Sequence, residues 1–244
     1  FNTAGKGGSI NLQSGNSPDG VVPAGAKLNL QTGSAIDLSV ASFVAGTLAS
    51  PGSSAFYGKF SGALQLRAPR NAANNDLGIT AIDSTINGAS SILAEGYELI
   101  DLTASGTAGT IPTALQTAIN VRATAFMANQ AALTTGLLGA DPQGLGSIFV
   151  LAPGAEIINR TGNLTLGTTT SNSTSDWSLH AFRYGSKSAP GVLTMRASGD
   201  LVFYNALSDG FTPLTSGTAG QRLWLGTVQT INPLLPANTQ SWSY

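Results

Sequence analysis

Few residues in this chain can do chemistry: there is one histidine, no cysteine, and charged residues make up only 9% of the sequence. His180 is the only imidazole. A Ser-His-Asp site would need it as base, with Asp176 or Asp200 as the orienting carboxylate and a serine as nucleophile. No Gly-x-Ser-x-Gly elbow is present. His180 lies in the aromatic run from Trp177 to Tyr184, where packing or plain exposure accounts for it. Glu95, Glu98 and Asp101 are the densest acids. Paired carboxylates can serve glycoside hydrolysis, or calcium-assisted polysaccharide cleavage, on a β-helix. Their spacing puts Glu95 and Glu98 on opposite faces of a strand, so a solvated strand edge is the plainer expectation. Asp83, Asp200 and Asp209 could join a site only through folding. No Asp-x-Asp-x-Asp loop or calcium-binding nonapeptide occurs, and no catalytic, cofactor-binding or metal-ligating residue is expected.

Binding chemistry has more candidates. Arg67, Arg70 and Arg196 fall on the outward phase of apolar-alternating stretches. There they could contact acidic glycans or simply solvate an exposed strand. Trp177, Phe182, Tyr184 and Tyr204 could form a sugar-stacking platform, against the plainer role of covering an exposed ladder. Contact with a glycan or partner is thus assigned to Arg67, Arg196, Trp177 and Tyr184. Asn159, Asn163 and Asn172 each head an Asn-x-Thr sequon and are candidates for glycosylation. Gly5-Lys6-Gly7-Gly8-Ser9 lacks the spacing of a phosphate loop.

The composition sets bounds on these readings. The charged fraction is far below the roughly 25% of an ordinary soluble domain, and Gly, Ser, Thr, Asn and Ala take the place of charge. The absence of cysteine excludes disulfides and thiolate metal sites. A net charge of −1 gives no electrostatic case for nucleic acid or an anionic membrane. No apolar run has the length of a membrane span. Because Phe1 is not an initiator, a processed chain or a piece of a longer one is expected.

The elements that would position these residues are mostly short strands. In Pro190 to Asn205, Leu193, Met195 and Ala197 alternate with Val192, Thr194 and Arg196. Leu201 and Phe203 alternate again after a Ser-Gly-Asp break. Leu193, Met195, Leu201 and Phe203 are expected inside, Thr194 and Arg196 outside. Gly62 to Ala68 has the same frame as Gly191 to Ala197, and Ala24 to Gly33 matches Pro153 to Gly162 at the same offset. Such repetition is the mark of stacked units. The step from Leu12 to Leu30 suggests the length of one coil. Ser17-Pro18-Asp19-Gly20, Asn71 to Asp76, Thr168 to Asp176 and Leu207 to Phe211 read as turns or loops. Leu223 to Val228 reads as a last strand. Between the halves, Leu115, Ile119, Phe126, Leu133 and Leu137 recur at helical intervals after Pro112, which predicts one amphipathic helix of about five turns.

Together these features predict an all-β chain, a right-handed parallel β-helix with one α-helical excursion around 112–138. Coils would occupy 1–110 and 141–230, with a helical insertion at 111–140 and an irregular tail at 231–244. A double sandwich is the alternative.

Gly62-Ala63-Leu64-Gln65-Leu66-Arg67-Ala68-Pro69-Arg70, the stretch from Gly191 to Leu201, Leu207-Ser208-Asp209-Gly210-Phe211 and the run from Trp177 to Tyr184 resemble segments of large exoproteins of the filamentous haemagglutinin type. That resemblance implies two-partner secretion through an outer-membrane barrel. It also implies a secreted or bacterial cell-surface fibre acting in adhesion, biofilm formation or contact between cells. It carries over no catalytic residue and no cofactor. The expected partners are the secretion barrel, a surface glycan or protein, or further copies of the chain, without nucleic acid or membrane insertion. The other readings are a polysaccharide-active β-helix enzyme and a self-associating filament subunit.

Overall fold

A computed structural model describes residues 8–15, 25–39, 62–169, 176–179 and 182–208. The strands in chain order are β1 (Ser9–Gln13), β2 (Leu28–Leu30), β3 (Ala35–Asp37), β4 (Gly62–Pro69), β5 (Ile79–Ile82), β6 (Thr85–Asn87), β7 (Ala89–Asp101) and β8 (Thr110–Ile111). Two helices follow, α1 (Thr113–Met127) and α2 (Gln130–Leu138). The chain then forms β9 (Phe149–Asn159), β10 (Leu164–Leu166), β11 (Trp177–Ser178), β12 (Arg183–Tyr184), β13 (Ala189–Pro190), β14 (Val192–Ala197), β15 (Leu201–Phe203) and β16 (Leu207–Ser208).

The central element is a five-stranded parallel sheet, ordered β1-β4-β7-β9-β14, in which each strand lies beside the one that precedes it in that series. It is curled like half a barrel. Its register stacks like on like: Ile10, Leu64, Ile92 and Phe149 form one row, and Leu12, Leu66, Ala94 and Leu151 the next. Between visits to this sheet the chain adds parallel pairs elsewhere: β2 with β5, β3 with β6, β10 with β8 and β15, and β11 with β16. Among the described strands only β12 and β13 pair antiparallel. β9 is buried along nearly its whole length, as expected of a parallel strand covered on both faces.

The period differs from the sequence expectation. Leu12 stacks on Leu66, and Leu30 pairs with Ile82 in a different sheet, so the step from Leu12 to Leu30 is not one coil. The shortest return to the central sheet runs from Leu64 to Ile92. The return from Ile92 to Phe149 is longer, because it includes both helices. The repeat of Gly62 to Ala68 at Gly191 to Ala197 is half right. β4 and β14 belong to one sheet, but Val192 lies level with Pro69, through Tyr97 and Gly154, rather than with its sequence match Ala63. Ala63 and Pro69 have the same parity in β4, so matching residues keep the same face although they are displaced along the strand. The match of 24–33 with 153–162 has no structural counterpart, since β2 and β9 lie in different sheets.

The single helix of the sequence reading is two. Asn129 ends the first, its amide donating to the carbonyls of Ala125 and Phe126, and the second starts at Gln130. Pro112 immediately precedes the first helix. Of the five expected apolar positions Ile119, Phe126, Leu133 and Leu137 are buried and Leu115 is half-buried. Phe126 lies directly over Gly96 of β7, where a Cβ would sit 2.6 Å from its Cζ. At the exit, the Asp141 carboxylate accepts the N–H groups of Leu145 and Gly146 and caps a short 3-10 turn.

Leu193 and Met195 pack against the core on the expected side but are only half-buried, as is Thr194, while Arg196 is exposed. Leu201 and Phe203 are not buried: they are 47% and 48% exposed. Their phase is nonetheless the inward one, because they stack on the buried Leu164 and Leu166. Alternation sets which way a side chain points, whereas burial also requires a neighbour on its other side. Among the described residues no further strand pairs beyond β14, β15 and β16. Ser17 to Gly20, Asp209 to Phe211, Leu223 to Val228, the tail and Gly5 to Gly7 lie outside the described residues.

Candidate functional site

The face of the central sheet away from the helices carries a line of charge. Odd positions of β4 and β7 and even positions of β9 and β14 share this face, through the registers Arg67 to Glu95 and Glu156 to Thr194. Arg67 Nε donates to Glu95 at 2.9 Å and its Nη1 to Glu156 at 2.6 Å. Arg196 reaches the other oxygen of Glu156 at 3.0 Å. Gln65 donates its amide to Glu95 at 2.8 Å. The Arg67 guanidinium also stacks 4.0 Å from the centre of the Tyr97 ring, and Tyr97 donates its hydroxyl to the Ser14 carbonyl. Four strands are thereby cross-linked. Gly154 is required beside this line, since a Cβ there would overlap the Glu95 carboxylate.

Burial decides the electrostatics. Glu95 is fully buried and Glu156 almost so. Burial opposes the charge on Arg67, but Glu95 and Glu156 together outweigh it and hold its pKa above the usual value. Glu95 has one arginine, and burial wins there, so its carboxyl is pushed up. Tyr97 is likewise pushed up by burial. The network is therefore a fixed structural tie rather than an open site.

An open site lies at the edge of the same sheet. β4 stops at Pro69, level with Tyr97, while β7 runs on to Asp101. The gap is a cleft of about 660 Å³ walled by Lys27, the loop from Arg70 to Asp76, Glu98, Leu99 and Arg122. Arg122 of α1 grips Glu98 with Nε at 2.5 Å and Nη2 at 3.3 Å. Arg70 forms the base. Its side chain is only 2% exposed, and burial lowers its pKa. It donates to the carbonyls of Gly96 and Gly154 and to Asn74 Oδ1, tying loop to sheet. Asn74, at φ 57°, donates in turn to the Arg122 carbonyl. Asn71 closes the loop by accepting the N–H groups of Asn75 and Asp76. A second crevice, beside Ile119, Trp177 and Leu193, has a volume of only about 20 Å³, room for roughly one water.

Several residues assigned from sequence are placed otherwise. Arg67 is on the predicted face but buried among carboxylates, so it cannot meet a glycan. Arg70 is buried too. Arg196 is exposed, and it shares Glu156 with Arg67, so the two arginines do lie on one side of the sheet. Trp177 and Tyr184 are 2% and 5% exposed. Tyr184 packs in the core, donates its hydroxyl to Asn120, and burial pushes its pKa up to about 12. Neither residue can serve a stacking platform. Tyr204 is exposed. Asn159 is buried, donating to the Asn163 carbonyl and accepting the Thr161 N–H, so it is not a glycan acceptor in the folded chain. Asn163 Oδ1 accepts the Asp200 N–H. Asn172 and His180 lie outside the described residues. Glu95 and Glu98 do take opposite faces, but neither is a solvated edge, because Arg67 covers one and Arg122 the other.

Sequence reasoning missed Glu156, Gln65, Lys27 and Arg122. The only signal was parity within each strand, which has no meaning between strands until their register is known. Among the described residues no three acidic, histidine or cysteine side chains converge as a metal site. Comparisons with family models, with curated proteins and with solved structures find no match.

Proposed function

We propose that the chain is a segment of a right-handed parallel β-helix, acting as a stiff structural and adhesive shaft in a secreted bacterial surface exoprotein. The observation that carries this reading is the central sheet, whose five strands follow chain order, all parallel, with apolar rows stacked residue on residue. Each strand advances such a stack by about 4.8 Å, and its backbone groups are paired by the strands on either side. The Arg67–Glu95–Glu156–Arg196 line supports rigidity, because bending the sheet would part buried charges. Leu201, Phe203 and Leu207 present the surface that an internal coil of a longer stack offers to the next. Adhesion and secretion come from the family resemblance. Beads coated with the folded chain should retain cells above a heat-denatured control, and the chain should resist protease under native conditions. Equal retention by both preparations, or rapid cleavage within β4, β7 or β9, would refute the reading.

A further inference from the structure

The cleft at the end of β4 has chemistry that a shaft does not need. Lys27 is exposed on one wall, and its ammonium makes no ion pair or hydrogen bond among the described residues. Arg122 commits Nε and Nη2 to Glu98, which leaves Nη1 without a partner there. Asp76 is exposed and gives one carboxylate oxygen to the Leu77 N–H, leaving the other to accept. Lys27, Arg70 and Arg122 against Asp76 and Glu98 leave one positive charge in excess, in a chain whose net charge is −1. The floor is fixed, because Arg70 and Asn74 pin the loop to β7 and α1 before any ligand arrives. Of the ligand-facing donors Arg122 is preorganised by its grip on Glu98, which lowers the entropic penalty of binding.

We propose that this cleft binds a polyhydroxylated carboxylate of the uronic acid class. Its carboxylate lies between Lys27 and Arg122 Nη1, and a hydroxyl donates to Asp76. Guanidinium and ammonium groups select the carboxylate, the acidic oxygen selects the hydroxyl, and half-buried Leu99 faces the apolar side of the ring. The volume of about 660 Å³ falls in the range that encloses a small ligand. The inference rests on the cleft alone, so its failure would leave the shaft reading standing.

Calorimetric titration of the full chain with a linear galacturonate trimer tests it. Saturable one-to-one binding is expected, weakening as salt rises. Affinity for the neutral galactose trimer should be at least ten-fold lower, and Lys27→Glu should lose at least ten-fold for the acidic trimer. Lys27 is exposed and tied to nothing among the described residues, so this variant should fold, as circular dichroism would verify. Arg122→Gln should lose affinity too, and its thermal midpoint reports any damage from freeing Glu98. No saturation at millimolar trimer, equal affinity for the neutral sugar, or an unchanged Lys27→Glu titration would overturn the proposal. A glutamate tripeptide binding as tightly as the uronate would overturn it as well, because it offers carboxylates without ring hydroxyls.

Discussion

Replacing Arg67 with methionine should damage the molecule far more than a surface arginine replacement, and the structure sets the scale. The Arg67 side chain is 8% exposed and holds Glu95 and Glu156 at 2.9 and 2.6 Å. Removing one partner from a buried pair costs about 3–5 kcal/mol. Among the described residues Glu156 retains Arg196 and Glu95 retains only the Gln65 amide, so the loss falls mainly on Glu95. Losing the contact with Tyr97 adds about 0.5–2 kcal/mol. Methionine recovers part of the packing, which leaves an expected loss of about 3–4 kcal/mol at pH 7. The sign of the pH dependence follows from Glu95. Its folded pKa is already raised above 4.5, so its contribution to stability is full below that pH and is lost as pH rises through the folded value. Without Arg67 the folded value rises further, so the penalty of Arg67→Met should shrink as pH falls through the folded values of Glu95. Urea unfolding at pH 5 and pH 8, followed by circular dichroism, measures both effects. Arg196→Met is the control. That side chain is 51% exposed, and an exposed pair is worth about 0–1 kcal/mol. An Arg67→Met loss below about 1 kcal/mol, or one equal to that of Arg196→Met, would refute the claim that the line of charge is a buried tie.

Two further substitutions probe the stacking. Gly96→Ala drives a methyl against the Phe126 ring and should cost about 1–3 kcal/mol. Pairing it with Phe126→Leu should cost less than the two changes summed, and strict additivity in urea midpoints would argue against the contact. Leu164→Ala should cost about 2–5 kcal/mol, whereas Leu201→Ala, one strand further along the same row, should cost well under half as much, because Leu201 is nearly half exposed. Equal costs would mean that Leu201 is covered in solution.

Much of the fold could be read from local pattern. Alternation at Leu64–Leu66–Ala68 and at Leu193–Met195–Ala197 gave strands and faces, and the apolar positions from Ile119 to Leu137 gave the helical excursion. The break at Asn129 was not visible, because an asparagine capping carbonyls from inside a run has the same local sequence as one facing solvent. The spacing between strands that pair in the central sheet was not visible either. Low-complexity strands match one another at many offsets, and the true pairings depend on loops of unequal length. The cleft was illegible, as its walls come from β7, α1, the loop after β4 and the approach to β2.

The sequence by itself determined that the chain makes strands and, within each strand, which side chains share a face. These follow from the two-residue period of extended backbone, which is local. Only the tertiary structure decided that Arg67 is locked between two carboxylates, that it lies on the same side of the sheet as Arg196, that Phe203 is exposed and that Lys27 and Arg122 line one cleft. Those facts depend on which strand lies beside which, and at what level, a choice set by packing over long chain separations that no local pattern encodes.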